Sequence, residues 1–113
     1  MMKKYPFSAA KHQHDITLAY NRVRNTIDDL VNEDWSKLSQ SEKSAKRAEL
    51  DRLETLLEKF TPIYHAVYQQ FPVAWFTGAQ YQMAKAMVIA ATEFRAGKCI
   101  EQGRIDLLKY CVA

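Results

Sequence analysis

Apolar residues recur at helical spacing through most of this chain, and that periodicity constrains its fold more than any other feature. Ile16, Tyr20, Val23, Ile27 and Leu30 alternate by four and three residues. They draw one apolar stripe down a helix from about Ser8 to Glu33. Leu50, Leu53, Leu57 and Phe60 repeat the pattern and continue in register through Tyr64, Val67 and Phe71, a heptad-like seam. This second helix starts near Ser39, because Ser39 and Glu42 have the spacing of a capping box. Pro62 interrupts the seam. Proline lacks the amide proton and clashes with the preceding helical turn, and Thr61-Pro62 fits an N-cap followed by a first-turn proline. The spacing therefore predicts a break near Thr61 and a short third helix over Pro62 to Gln70, with one kinked helix as the alternative.

Thr77 and Gln80 again have capping-box spacing, so a fourth helix should start near Gly78. Its middle, Met83 to Ala91, reads MAKAMVIAA, apolar nearly all round, as in the central helix of a bundle. Gly97 is a suitable stop, and Ile100, Ile105 and Leu108 suggest a short fifth helix. With 113 residues, 3 Gly and 3 Pro, the chain is one domain rich in helix formers. The expected fold is an all-α single-domain bundle of four to five helices spanning residues 1–113. It has a long antiparallel hairpin of the first two helices, a central buried helix near 78–96 and no paired strands.

The connector before the fourth helix reads FPVAWFTG, Phe71 to Gly78, where a polar turn would be ordinary. The first reading is a core cap, with Phe71, Trp75 and Phe76 covering the point where the chain turns inward. The second is an exposed aromatic anchor for a partner. Trp35, in the turn after the first helix, reads as a plug over the end of the core.

Little points to chemistry. His12 and His14 are two residues apart, so on a helix they point about 200° apart and cannot share one metal. His65 is remote, and no CxxC or ExxH completes a site. There is no phosphate-binding glycine loop and no nucleophile elbow. No cofactor, no metal and no catalytic residue is expected. Cys99 and Cys111 are expected as reduced thiols of a cytoplasmic protein. No apolar run follows Lys3 and Lys4 as in a secretory signal, and none is long enough to span a membrane.

The net charge of +3 is too mild to imply nucleic acid by itself, but it is unevenly spread. Lys3, Lys4, Lys11, Arg22 and Arg24 face one acid, Asp15, in the first 24 residues. Asp28, Asp29, Glu33 and Asp34 then cluster at the end of the first helix, where carboxylates oppose the helix dipole. They read either as a solubilising patch partly neutralised by Lys37 or as a dock for a basic partner. A second candidate surface lies on the fourth helix. Gln82, Lys85, Ile89 and Thr92 share a face, and an unpaired lysine would not be buried there. Either Lys85 and Ile89 centre a small interface with Trp75 or Tyr81 at its rim, or Lys85 reaches along the first helix to an acid with Ile89 packed beneath it.

The expected function is a small protein-binding regulator, adaptor or inhibitor of a larger macromolecular machine, in the style of a mobile-element accessory protein. Its partner-binding residues would be Asp28, Asp29, Glu33, Asp34, Trp75, Lys85 and Ile89. Self-association is compatible with the same surfaces. The alternative is a nucleic-acid-binding regulator using the basic N-terminal arm and Lys43, Lys46 and Arg47 at the start of the second helix. There, Glu42, Glu49 and Asp51 interleave with the cations.

Overall fold

The computed structural model describes residues 3–97. The expected fifth helix, Cys99 and Cys111 lie outside the described residues. Three helices and one small sheet occur in the order β1 (Tyr5–Ser8), α1 (Ala9–Asn32), α2 (Gln40–Gln69), β2 (Val73–Phe76) and α3 (Gly78–Arg95). Two features correct the expected bundle of four to five helices. The region expected to form two helices around Pro62 is one helix, and two segments expected to be irregular pair as strands.

The cap positions follow from local chemistry. Ser8 accepts a hydrogen bond from the Lys11 amide. Reciprocal capping boxes form at Ser39–Glu42 and Thr77–Gln80, each answering orphan amides of a first turn. Gly97 has a φ of +83°, the left-handed geometry that ends a helix cheaply only at glycine.

α2 runs through Pro62 without a break. Thr61 does not cap a new helix; its hydroxyl donates to the Leu57 carbonyl at 2.7 Å, one turn back. An internal proline costs about 3 kcal/mol. Phe60, Ile63 and Val67 flank it and are essentially fully buried, each contributing about 1.5–3 kcal/mol. A continuous stripe therefore outweighs one missing amide, and Pro62 itself faces solvent. The stripe also sits slightly round the helix from where the heptad pattern puts it. Leu56 and Ile63 are buried, whereas Leu57 and Tyr64 are half-buried and Phe71 is exposed.

α1 and α2 form an antiparallel hairpin, shown by Thr17 meeting Tyr68, Tyr20 stacking on Tyr64, and Glu33 pairing with Lys46. α3 runs parallel to α1, with Arg95 on Asp15 and Arg22 over the Phe94 ring. It is not a central helix. Met83, Ala84, Ala86, Met87, Ala90, Ala91 and Phe94 are buried, and the alanines permit close approach to the hairpin. Gln82, Lys85, Ile89 and Thr92 form an exposed stripe opposite. Among the described residues no helix is long and apolar enough to cross a membrane.

β1 and β2 pair antiparallel, with Tyr5 opposite Phe76, Pro6 opposite Trp75, Phe7 opposite Ala74, and Ser8 opposite Val73. Alternation sends Phe7, Ala74 and Phe76 inward, and all three are buried. The Ala10 amide donates to the Pro72 carbonyl at 3.0 Å, tying the start of α1 to the turn, which carries a cis Phe71–Pro72 peptide. Much of the apolar surface in FPVAWFTG is thus strand alternation: one side of β2 closes the core and the other does not.

Candidate functional surface

The side of the ribbon facing away from the core carries Pro6, Ser8, Val73 and Trp75. Trp75 is 50% exposed and Val73 40%. Phe71, in the turn just before β2, is 56% exposed, and Tyr68, in the last turn of α2, is 49%. The core-cap reading holds for Phe76 and fails for Phe71 and Trp75, which are in water. Phe71 to Val73 span a turn and the first strand residue, so four large apolar groups lie within eight residues of one another in sequence, at one end of the molecule.

The backbone fixes this surface. Successive pairs in an antiparallel ladder alternate between exchanging hydrogen bonds and not doing so. Pro6 has no amide proton, so it fits the ribbon at a non-bonded position. Trp75, its partner, sends its amide away from β1 to the Gln70 side-chain oxygen at 2.9 Å. Proline on one edge and a side-chain cap on the other are both devices that discourage a further strand from adding.

An aromatic row continues from this surface along the hairpin. Tyr68 lies 5.0 Å from Tyr64, which stacks on Tyr20 at 4.2 Å and 6°. The Tyr68 hydroxyl is 2.8 Å from the Thr17 hydroxyl. Desolvation within this packing, followed by the neighbouring phenols Tyr68 and Tyr20, raises the Tyr64 hydroxyl pKa above its ordinary value, and Arg24 nearby pulls it the other way.

Lys85 and Ile89 come together on the opposite side of β1. With Phe7, His12 and Val88 they line a shallow, mostly apolar groove of about 220 Å3. Ile89 is 52% exposed. Lys85 does not reach an acid of α1; its ammonium lies 5.4 Å above the Tyr81 ring. Trp75 points from the other face of the ribbon and does not rim this groove.

All four acids at the end of α1 are exposed, and Asp29 and Glu33, four residues apart, lie about one helical turn apart. Asp28 and Asp29 are exposed neighbours on α1, and successive residues of a helix diverge by about 100°. Glu33 pairs with Lys46 at 2.8 Å, so Lys46, and not Lys37, offsets charge at this helix end. Asp34 accepts from the Ser36 amide at 3.0 Å, and that bond lowers its pKa. Two of the cations at the start of α2 are likewise engaged within the chain. Lys46 holds Glu33, and the Arg47 guanidinium lies 5.7 Å from the Trp35 ring. Trp35 plugs the hairpin end as expected from its position, half-buried against the core, and its buried indole N–H finds no acceptor among the described residues.

His12 packs 5.0 Å from Phe7 and lies 3.8 Å from Asp15, while His14 is exposed. Among the described residues no group of three or more His, Cys, Asp or Glu side chains is placed to hold a metal ion. No protein-family model, curated protein or solved structure matches the chain.

Sequence reasoning offers Trp75 first as part of a core cap and second as an exposed anchor; its side chain is 50% exposed, and Val73 and Tyr68 are not singled out. The period-two alternation in VAWF was the signal for Val73. Tyr68 could have been found only by placing the α2 stripe through Leu56 and Ile63.

Proposed function

We propose that this chain is a non-catalytic protein-binding module, a regulator, adaptor or inhibitor that docks on a larger assembly through Phe71, Val73 and Trp75. One observation carries the reading. Val73 and Trp75 are exposed on one side of a ribbon whose backbone is fixed and whose edges are blocked, and Phe71 and Tyr68, a few residues before them, are exposed as well. Solvating such a cluster is unfavourable, and a rimmed apolar patch on a small protein marks an interaction surface. Tryptophan and tyrosine are also the side chains most enriched among residues that dominate binding energy. Lys85 and Ile89 on α3 are a secondary contact in this reading, and the acids at the α1 end contribute solubility.

The test replaces Trp75 with a photoreactive benzoylphenylalanine and irradiates cells of the native host. The expected result is one discrete, nuclease-resistant protein adduct. It should be absent when the probe stands at exposed Thr55, and lost when Val73→Asp is added. Adducts with nucleic acid, adducts only with itself, or labelling that survives Val73→Asp would overturn the proposal.

A further inference from the structure

Among the described residues, the ribbon end of the molecule is almost without negative charge. Between Lys59 and Lys85 there is no Asp, Glu, Lys or Arg, and this stretch supplies Tyr68, Phe71, Val73 and Trp75. On the other strand, the first carboxylate in the chain is Asp15. Its two oxygens are engaged, by Arg95 at 2.5 Å and by His12 at 3.8 Å. The nearest acid along α2 is Glu58, ten residues before Tyr68 and so ~15 Å away along the axis. The fixed charges close to the apolar patch are cationic. Lys4 immediately precedes β1, Lys11 lies in the first turn of α1 just after it, and both are exposed. Lys3 lies 5.4 Å above the Tyr5 ring, on the inward side of the ribbon, and Arg24 lies further along α1 beside the tyrosine row.

We infer that the partner surface received by Trp75, Val73 and Phe71 is acidic, with Asp and Glu side chains ringing an apolar anchor site. This rests on the docking reading above and names the chemistry of its partner. Area argues for charge around the apolar contact. Three half-exposed aromatics and one valine offer roughly 400 Å2, taking 150–250 Å2 per aromatic. A stable interface takes about 800 Å2 from each partner. The remainder must come from the rim, and the rim here carries Lys4 and Lys11. A rim charge acts over about 8 Å at physiological salt, which is the scale of the patch, and sets approach and selectivity more than residence time.

The same area excludes a second copy docked face to face, since the pair would bury roughly the area of a crystal contact. The positive rim would also meet its own image. Strand addition is disfavoured by Pro6 on one edge and by Gln70 over the Trp75 amide on the other. A nucleic acid would meet the lysines. It could also stack bases on Trp75, Phe71 and Tyr68, but two lysines are too few to follow a phosphate backbone, and the oligonucleotide titrated below tests that occupant directly.

The experiment reads the emission of Trp75. Trp35→Phe leaves Trp75 as the sole tryptophan and removes a buried N–H that lacks an acceptor. Four probes are titrated in turn: a short synthetic peptide with Glu and Asp around a Phe-Leu pair, the same peptide with Lys in place of the acids, the acidic peptide with Ser in place of Phe-Leu, and a mixed-sequence single-stranded oligonucleotide. The acidic Phe-Leu peptide should give a saturable blue shift. Its affinity should fall by at least about tenfold in the Lys4→Glu/Lys11→Glu variant and in high salt. The lysine peptide and the serine peptide should bind at least about tenfold more weakly than it does. Equal binding of the lysine peptide, no response to the acidic peptide, a shift caused by the oligonucleotide alone, or a Trp75 already shielded at high protein concentration would overturn the inference. If Trp35→Phe fails to fold, the Trp75 indole N–H resonance of the wild type reads the same titrations. Failure of the peptides with the photoadduct intact would refute the acidic partner and leave the docking surface standing. Loss of both would remove the two together.

Discussion

Pro6 and Trp75 face each other across the β-ribbon, and neither offers an N–H to the other: Pro6 has none, and the Trp75 amide donates to Gln70. The pair closes both edges of a sheet that would otherwise invite a third strand. Pro6→Val restores an outward amide on β1. The expected outcome is concentration-dependent self-association at a level the wild type does not reach, measured by sedimentation velocity. Gln70→Ala should speed exchange of the Trp75 amide while leaving the Phe76 amide protected. Unchanged exchange would mean that the Gln70 bond does not persist in solution.

Trp75 and Phe76 are adjacent, yet their expected costs differ sharply. Phe76 is 1% exposed and packs 5.7 Å from Phe7, so Phe76→Ala should cost about 3–5 kcal/mol. Trp75→Ser removes a half-exposed side chain from the water-facing side and should cost under about 1 kcal/mol. Urea midpoints measure both. Similar losses would place the two side chains on the same face and contradict the ribbon register.

The position of the α2 stripe is testable in the same way. Leu56 is fully buried and Leu57 half-buried. Leu56→Ala should cost about 2–5 kcal/mol and Leu57→Ala clearly less. The reverse order would restore the stripe that spacing alone suggests.

That comparison marks where this sequence is legible. α1, its Ser8 cap, the two capping boxes and the Gly97 stop follow from local chemistry, and each lies where its residues put it. The faces of α2 do not, because Leu56 and Leu57 are equally apolar and only the packing of the other elements against α2 decides between them. Pro62 misleads for a related reason. Its penalty is local and visible, whereas the burial of Phe60, Ile63 and Val67 that offsets it depends on α1 and α3. The ribbon was hidden because Tyr5–Ser8 and Val73–Phe76 are four residues each and pair across more than sixty intervening positions. Of the candidate sites, the helix period found the exposed stripe of Lys85 and Ile89. The cluster of acids is exposed as its position suggests, but spacing alone does not reveal that Glu33 is held by Lys46 and Asp34 by the Ser36 amide.

Ile89 is 52% exposed beside the groove shared with Phe7, His12 and Val88. Ile89→Asp should change stability by about 0.5–1 kcal/mol, partly because the new carboxylate lies one turn from Lys85. If α3 makes the secondary contact proposed above, the photoadduct formed at Trp75 should weaken without disappearing. Unfolding by Ile89→Asp would put Ile89 in the core and end its candidacy.

The tyrosine row predicts an alkaline limb of instability. Packing desolvates the Tyr64 hydroxyl, and Tyr68 and Tyr20 add to the effect, so its pKa in the folded protein lies above the ordinary 10.0. The folded protein thus holds this proton more tightly than the unfolded chain. The contribution is fully present below about pH 10 and is lost as pH rises through the folded value. Tyr64→Phe keeps a ring stacked on Tyr20 and has no proton to lose. Between about pH 9 and 11 the wild type should therefore lose more stability than Tyr64→Phe, read as the difference in urea midpoints. At neutral pH the two should differ by a smaller, pH-independent amount, because Tyr68 keeps its bond to Thr17 in both. Curves that stay parallel across the alkaline range would show that Tyr64 ionises as freely in the folded protein as in the unfolded chain, and that the row is more hydrated than its 4.2 Å stack implies.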